Sequence, residues 1–268
     1  MMKRILTTFL ILATLIAVVP SAYAVSLQVN NTTASANVPL YNSTTYVPLR
    51  ATSLSLCPGA QVTWESGRAV VRAQNLTITA RPGDLYIDAN GRKLFVKDSV
   101  RVVNGSTLVP VRVLAKAMGA TVSWNSSAQR VTLSSGSNTI QAGDQYYDST
   151  SIYWLSRIIN AESSGEPLTG KIAVGNVILN RVASSEFPNN IHDVIFDDVG
   201  GVQFTPVANG TINNSPSAES ILAAKLCLDG ASVVGNSLFF LNPSIATSSW
   251  ITRSRAYVTT IGNHKFYA

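Results

Sequence analysis

Few side chains in this sequence are suited to chemistry, and Glu162 is the one whose neighbours suggest a reaction. Leu155, Ile158 and Ile159 recur at the i, i+3, i+4 spacing of a buried helical stripe, and Glu162 takes the i+7 position. The segment 164–167 contains Ser, Gly and Pro, which predicts the end of the helix. The predicted helix therefore carries a carboxyl group on its apolar stripe, close to its end.

A carboxyl group in that position has two interpretations. Burial raises the pKa of a carboxyl group and keeps it protonated near neutral pH, which a general acid requires. From the pattern alone, the favoured interpretation is a Glu that forms a salt bridge or reaches solvent at the helix end, because buried Glu is uncommon. The residues by themselves leave both interpretations open.

The other chemistry-bearing side chains argue against a metal or thiol mechanism. The chain contains two histidines, His192 and His264, and two cysteines, Cys57 and Cys227, with no HExxH or CxxC spacing. We therefore expect no metal site and no cofactor, and amidase or peptidase chemistry finds no Cys–His pair or metal cluster. Cys227 falls on an apolar helical stripe, which predicts a buried, inert thiol.

The first residues have the pattern of an export signal. Residues 1–24 combine a basic start, an uncharged apolar run from Ile5 to Val19 and a small-x-small site at Ala22–Ala24. We expect a signal peptide cut after Ala24 rather than an uncleaved anchor, because the apolar run is short and Pro20 ends it. No later stretch is apolar enough to cross a bilayer. The mature chain is thus expected to be secreted, which disfavours nucleic acid as a partner.

Residues 25–147 contain an internal repeat. The copies share five motifs, and Trp64 and Trp124 are 60 residues apart. The motifs are Tyr46–Arg50 with Leu108–Arg112, Pro58–Ala60 with Met118–Ala120, Val62–Trp64 with Val122–Trp124, Arg68–Val71 with Arg130–Leu133, and Pro82–Asp84 with Ala142–Asp144. In the second copy the pattern predicts a strand ending at Pro110, a helix over Val111–Met118 stopped by Gly119, and a hairpin of Thr121–Trp124 with Arg130–Leu133. Each copy is therefore expected to add one short helix to a β-rich α+β module.

This module resembles the copper amine oxidase N-terminal-like domain of secreted bacterial envelope proteins. It contains no His, so copper ligands are not expected in it. Trp64 and Trp124 are predicted to be core residues rather than sugar-stacking platforms. Residues 25–148 hold 11 Lys and Arg against 6 Asp and Glu, a net charge of +5, so the module could bind an anionic wall polymer. An ordinary solvated basic surface explains the charge equally well.

Residues 148–268 carry a series of short motifs. In order they are Ile159–Glu162, Gly165–Pro167, Ile172–Val174, Val177–Val182, Phe187-Pro188, Ile195-Phe196, Gln203-Phe204, Phe240–Pro243 and Ile261–Tyr267. As an ordered set they resemble the catalytic domain of the SleB/CwlJ-type cell-wall hydrolases, the spore-cortex-lytic family. The resemblance implies a mainly helical, lysozyme-like α+β fold, so the expected chain is multidomain, with the β-rich repeat module followed by this domain.

The resemblance also implies an enzyme, a peptidoglycan lytic transglycosylase with Glu162 as its catalytic residue. Such an enzyme cleaves the β-1,4 bond between N-acetylmuramic acid and N-acetylglucosamine with one acid/base Glu and leaves a 1,6-anhydro sugar. Six further residues are candidates for contact with the glycan strand: Gln203, Phe204, Phe240, Asn242, Asn263 and His264. The alternatives are loop-stabilising amides, core aromatic rings and a structural His. Asn180 and Arg181 are predicted to brace Glu162 from the next helix.

Two other functions remain open at this stage. A hydrolytic muramidase would pair Glu162 with a second carboxylate, for which Asp197, Asp198 and Glu166 are the candidates. A non-catalytic wall-binding protein would use neither. All three functions place the secreted protein at the cell wall or the spore cortex.

Overall fold

The computed structural model describes residues 25–136, 139–246 and 248–268. The predicted signal peptide, residues 1–24, lies outside these ranges. Within them, none of the helices has both the length and the apolar character that crossing a membrane requires.

The described residues of the first part of the chain form strands and three short helices. The strands are β1 (Val25–Val29), β2 (Thr32–Val38), β3 (Leu40–Tyr41), β4 (Thr44–Pro48), β5 (Gln61–Glu65), β6 (Arg68–Ala73), β7 (Leu76–Ala80), β8 (Tyr86–Ala89), β9 (Arg92–Phe95), β10 (Arg101–Val103), β11 (Ser106–Pro110), β12 (Thr121–Asn125) and β13 (Arg130–Ser134). The helices are α1 (Leu49–Leu56), α2 (Val111–Met118) and α3 (Gly143–Tyr146). The strands form three sheets, in the orders β12-β13-β1-β2, β10-β11-β4-β3 and β5-β6-β7-β8-β9.

The internal repeat is confirmed as a structural repeat. Helix α2 has the predicted bounds, and Gly119 ends it in the left-handed conformation at φ 63°, which glycine adopts without steric cost. The predicted hairpin forms as β12 and β13. In the first copy, α1 and the β5–β6 hairpin follow β4 in the same order.

The prediction that Trp64 and Trp124 are core residues is wrong. Their side chains are 57% and 45% exposed. Trp64 lies on β5 and Trp124 on β12, each an edge strand of its sheet. The core is filled instead by side chains such as Tyr46, Leu49 and Leu114, which are fully buried.

The second part of the chain is mainly helical. Its helices are α4 (Ser149–Ser163), α5 (Leu168–Ala183), α6 (Ile191–Phe196), α7 (Thr205–Ala208), a 3-10 turn (Thr211–Asn213), α8 (Ala218–Leu228) and α9 (Trp250–Ser254). Strands β14 (Phe239–Leu241), β15 (Tyr257–Ile261) and β16 (His264–Tyr267) form a small antiparallel sheet in the order β14-β16-β15. The predicted fold class, a β-rich module followed by a mainly helical α+β domain, is confirmed.

Helices α4, α5 and α8 pack against one another around a hydrophobic core of their own, which we call the second core. Leu155, Ile158 and Ile159 are fully buried in it, so the predicted apolar stripe of α4 is confirmed. The Asp148 side chain begins α4 by accepting a hydrogen bond from the backbone N–H of Ser151 (2.7 Å). Cys227 is buried in the same core, as predicted, and burial raises the pKa of its thiol.

An ion cluster around one buried carboxylate joins the two parts. Asp229, directly after α8, has a fully buried carboxylate that pairs with Arg92 of β9 and, at 3.1 Å, with Lys116 of α2. Tyr147 donates its hydroxyl to the same carboxylate at 2.5 Å. The predicted domain boundary between residues 147 and 148 remains a prediction. Arg92, Lys116 and Tyr147 of the cluster precede this boundary, and Asp229 follows it.

Candidate active site

Glu162 lies in the last turn of α4 and lines a cleft of about 1150 Å³. Its side chain is partly buried and makes no hydrogen bond with the described residues. Burial raises the pKa of this carboxyl group to about 7. A carboxyl group with that pKa holds its proton in a large fraction of molecules at neutral pH, so it can act as a general acid.

The cleft has polar and apolar walls. It is lined by the loop 199–203 before α7, by β14 with residues of the segment that follows it, and by α9. Arg181 of α5 and His264 of β16 also line it. Arg181 is buried, and desolvation lowers the pKa of its guanidinium to about 10 although Asp197 opposes that shift.

Glu166 lines the same cleft, but its carboxylate is already bound within the protein. Oε2 accepts a hydrogen bond from the backbone N–H of Asn263 at 3.0 Å, and Oε1 accepts one from Asn263 Nδ2 at 2.8 Å. Nδ1 of His264 lies 3.8 Å from Oε1. Glu166 is therefore an anchor for the turn between β15 and β16.

Asp197 and Asp198 are not among the cleft-lining residues. Asp197 accepts a hydrogen bond from the backbone N–H of Val199 at 3.1 Å, and Asp198 is exposed. Within the described residues that line the cleft, Glu162 is thus the carboxyl group that is free to react.

Five of the six predicted glycan contacts lie around the cleft: Gln203, Phe204, Phe240, Asn242 and His264. Asn263 is not among the lining residues, because its amide is bound to Glu166. Phe204 is only 3% exposed and belongs to the second core, which agrees with a packing role. The structure therefore brings most of this set together with Glu162.

The side-chain amides of Gln203 and Asn242 each form hydrogen bonds within their own loop, and each has one polar atom left without a partner among the described residues. Gln203 Nε2 donates to the carbonyl groups of Val199 (3.3 Å) and Gly201 (3.1 Å), and Asn242 Oδ1 accepts from the N–H of Ser244 (3.0 Å). Gln203 Oε1 and Asn242 Nδ2 have no partner among the described residues. Both interpretations of these amides, loop support and ligand contact, are thus compatible with the geometry.

His264 is a buried side chain. Desolvation lowers the pKa of its imidazole, and the nearby Glu166 only partly offsets this. Its ring packs edge-on against Phe240, with the ring centroids 5.4 Å apart. His264 therefore contributes a buried imidazole and an aromatic contact to the lining of the cleft.

The prediction that Asn180 and Arg181 brace Glu162 is wrong. Asn180 Nδ2 donates to the carbonyl groups of Gly235 and Ser237, each at 2.9 Å, and Arg181 Nε donates to the carbonyl of Leu238 at 2.8 Å. Both side chains hold the segment that leads into β14. Their effect on Glu162 is indirect, through β14, which lines the same cleft.

Several residues that line the cleft were not predicted from the sequence. Trp250, the first residue of α9, is 53% exposed beside the cleft and packs edge-on against Phe239, with ring centroids 5.6 Å apart. The exposed side chains of Val199, Val202 and Ile245 also line it. The signal that could have identified Trp250 is a single Trp within a Ser- and Thr-rich stretch, 247–254, where no core element is predicted.

The described residues contain no group of three or more His, Cys, Asp or Glu side chains placed to hold a metal ion. In residues 25–147, which lack His, the carboxylates, Cys57 and backbone groups do not form the imidazole-rich set that copper prefers. The β-rich module thus does not fit a copper site, whatever its family name.

Comparisons with known proteins agree with this architecture. Residues 165–267 match the family model described as Cell Wall Hydrolase, and residues 28–133 and 89–145 match the one described as Copper amine oxidase N-terminal domain. A spore cortex-lytic enzyme of Bacillus cereus is 39% identical over 120 residues, 45% of each chain, and one of Bacillus subtilis is 35% identical over 120 residues, 45% of this chain and 38% of that one. The chain thus spans less than half the length of these curated relatives.

Among solved structures, the chain is similar to the catalytic domain of the germination-specific lytic transglycosylase SleB from Bacillus anthracis. The identity is 38%, the match covers 46% of this chain and 97% of that one, and the TM-score is 0.42. The catalytic domain of the Bacillus cereus SleB protein matches at 38% identity, with 46% and 92% covered and a TM-score of 0.41. Residues 165–267 thus match the cell wall hydrolase family, and the part of the chain before them matches the copper amine oxidase N-terminal domain.

Proposed function

We propose that this protein is a secreted peptidoglycan lytic transglycosylase in which Glu162 is the single catalytic acid and base. The observation that carries the proposal is the state of Glu162, which lines a large cleft, makes no hydrogen bond to the described residues and has a pKa raised to about 7. The relatives' names, spore cortex-lytic enzyme and lytic transglycosylase, support the same reaction.

The reaction needs one carboxyl group, which acts first as an acid and then as a base. Protonated Glu162 donates to the glycosidic oxygen as the bond from C1 of N-acetylmuramic acid breaks, which releases the 4-hydroxyl of N-acetylglucosamine. The C6 hydroxyl of the muramic residue then attacks C1, and the Glu162 carboxylate takes its proton. The new C1–O6 bond closes a 1,6-anhydro ring, Glu162 is protonated again, and no water is consumed.

The surroundings of Glu162 favour this route over hydrolysis with two carboxylates. A retaining or inverting hydrolase needs a second carboxylate beside the sugar. Glu166 is held by Asn263, and Asp197 and Asp198 do not line the cleft. The apolar side chains of Val202, Ile245 and Trp250 offer surfaces on which sugar rings could pack.

We further propose that the substrate is the glycan strand of the cell wall or the spore cortex. This requires export, for which residues 1–24 supply the predicted signal. Comparing lysis of purified cortex with lysis of vegetative sacculi identifies which wall the enzyme degrades.

The test is a matched pair of substitutions. Glu162→Gln keeps the shape of the side chain and removes its proton, so lysis of purified sacculi should fall by at least about 100-fold. Glu186→Gln makes the same change at an exposed Glu outside the cleft and should leave lysis unchanged. Equal lysis by the Glu162→Gln protein and the unmodified protein would refute the proposal. Loss of lysis with intact wall binding would also dismiss the alternative of a non-catalytic binding protein.

A further inference from the structure

The two exposed tryptophans of the repeat module occupy equivalent places. Trp64 and Trp124 lie on edge strands β5 and β12, opposite Ala69 and Val131 on the neighbouring strands. Both indole rings are about half exposed although the module has a well-filled core. Exposure of a large aromatic ring at the same position in both copies is unexplained by packing.

Each tryptophan lines a surface pocket, and the two pockets are built alike. The Trp64 pocket, defined by Arg50, Thr63 and Trp64, has a volume of about 340 Å³. The Trp124 pocket, defined by Arg112, Ser123 and Trp124, has a volume of about 440 Å³. The arginines are the last residues of the two repeated Val-Pro-x-Arg motifs. The repeat therefore places a ring, a guanidinium group and a hydroxyl group at each of the two pockets.

These groups have a common ligand chemistry. An indole face packs against the C–H face of a sugar ring, and a hydroxyl group exchanges hydrogen bonds with sugar hydroxyls. An exposed guanidinium group binds carboxylates in a two-pronged manner. No Asp or Glu lines either pocket, and residues 25–148 hold 11 Lys and Arg against 6 Asp and Glu. The ligand that suits both pockets is a sugar polymer that carries carboxylates.

We propose that the Trp64 and Trp124 pockets are two binding sites for the glycan strand of peptidoglycan, with the sugar rings on the tryptophans and the lactyl or stem-peptide carboxylates on the arginines. A polymer of repeating disaccharides matches a module with a repeated site, and occupying both sites raises the overall affinity. A polyol-phosphate wall polymer would satisfy the arginines but has no ring face for the tryptophans. The proposed function enters this inference only in the choice of glycan strand.

The contacts of Arg92, Lys116 and Tyr147 with the buried carboxylate of Asp229 give these sites a role in lysis. Because these contacts join the module to the catalytic domain, a strand held by the module is held by the same molecule that carries the cleft. The two pockets would thus keep the enzyme on insoluble wall between cleavages.

The experiment measures binding of the full chain to insoluble peptidoglycan freed of polyol phosphate, in the Glu162→Gln background so that the wall stays intact. Trp64→Ala and Trp124→Ala should each weaken the apparent Kd by about tenfold, and the double variant should bind more weakly than either. Arg50→Ala and Arg112→Ala should weaken binding, whereas Arg81→Ala, at an exposed Arg outside both pockets, should not. Unchanged melting temperatures should accompany the Trp variants, because the rings are exposed.

Unchanged binding by the double Trp variant would overturn the inference. It would also fail if Arg81→Ala weakened binding as much as the pocket arginines, or if only wall that retains its polyol phosphate responded to the variants. Failure of the proposed function gives a different result, because Glu162→Gln would then keep its lytic activity whatever the Trp variants do.

Discussion

The carboxylate of Glu166 holds Asn263 by two hydrogen bonds, one from its backbone N–H (3.0 Å) and one from its side-chain amide (2.8 Å). This pair joins the loop after helix α4 to the turn between β15 and β16. Lys171 strengthens the loop by donating to the carbonyl of Glu166 at 2.6 Å. The end of α4, and with it Glu162, is thereby fixed relative to the sheet that lines the cleft.

Gly262, at the tip of that turn, should not tolerate a side chain. A Cβ at this position would lie 1.7 Å from Glu166 Oε2, and the backbone has φ +56°. We expect Gly262→Ala to lower the free energy of unfolding by about 2–4 kcal/mol, through left-handed strain and through displacement of Glu166 from Asn263. Urea unfolding of purified protein measures the loss.

Gly210→Ala is the matched control for the strain alone. Gly210 also has a positive φ, +78°, but nothing lies within 4 Å of a Cβ there. We expect Gly210→Ala to lower the free energy of unfolding by about 1 kcal/mol. If both variants lost the same free energy of unfolding, the contact between Glu166 and Asn263 would contribute little.

The pH dependence of lysis should reflect the raised pKa of Glu162. Burial raises it to about 7, and the protonated form starts the reaction, so the rate should fall with rising pH above about 7. Initial rates of wall lysis between pH 5 and 9, with a folding check at each pH, measure this. A fall centred near pH 4.5, or a rate that stays constant to pH 9, would show that Glu162 is not the acid.

The raised pKa of Glu162 should also make the free energy of unfolding depend on pH. As pH rises from about 4.5 to about 7, the unfolded chain releases the Glu162 proton before the folded protein does. The free energy of unfolding should therefore fall across that window, by up to about 3 kcal/mol, and become constant above it. Glu162→Gln lacks this dependence, so its melting temperature should exceed that of the unmodified protein by more at pH 8 than at pH 5. Parallel melting curves at both pH values would contradict the burial of Glu162.

Asp229 should be essential to the contact between the two parts of the chain. Burial alone would raise the pKa of its carboxyl group, but hydrogen bonds from Arg92, Tyr147 and Lys116 together hold it below the usual value. Asp229→Asn leaves Arg92 buried without a counter-charge and should lose about 3–5 kcal/mol of unfolding free energy at pH 7.

A lowered pKa stabilises the protein above the ordinary carboxyl pKa, and this stabilisation disappears as pH falls through the folded-state pKa. The difference between Asp229→Asn and the unmodified protein in urea unfolding should thus shrink in acid. Glu65→Gln is the control, because Glu65 pairs with Arg72 on an exposed surface, and it should change stability little. A small effect of Asp229→Asn at pH 7 would mean that the two parts are only loosely joined.

Local patterns predicted much of the fold. Helix α2 began and ended at the predicted residues because a proline precedes it and Gly119 follows it. The stripe of Leu155, Ile158 and Ile159 predicted which side of α4 is buried, and Glu162 followed from the same spacing. These features depend on neighbours in sequence, which a single chain displays.

The predictions that failed depend on residues far apart in sequence. The alternation of side chains along a strand defines the two faces of a sheet, but it does not show which face is buried. Trp64 and Trp124 were therefore assigned to the buried face, whereas both are exposed. The bonds of Asn263 to Glu166 and of Asn180 to Gly235 join residues 97 and 55 positions apart. Trp250 reaches the cleft through the path of the chain around the sheet, which no local pattern records.

The central claim, that one carboxyl group cleaves the strand without water, is tested most directly by digestion of peptidoglycan in H₂¹⁸O. The account predicts muramic ends that carry a 1,6-anhydro ring and no ¹⁸O in mass spectra of the products, and it predicts no such products from the Glu162→Gln protein. Muramic ends that contain one ¹⁸O atom at C1 and lack the anhydro ring would show that water is the nucleophile and would contradict the account.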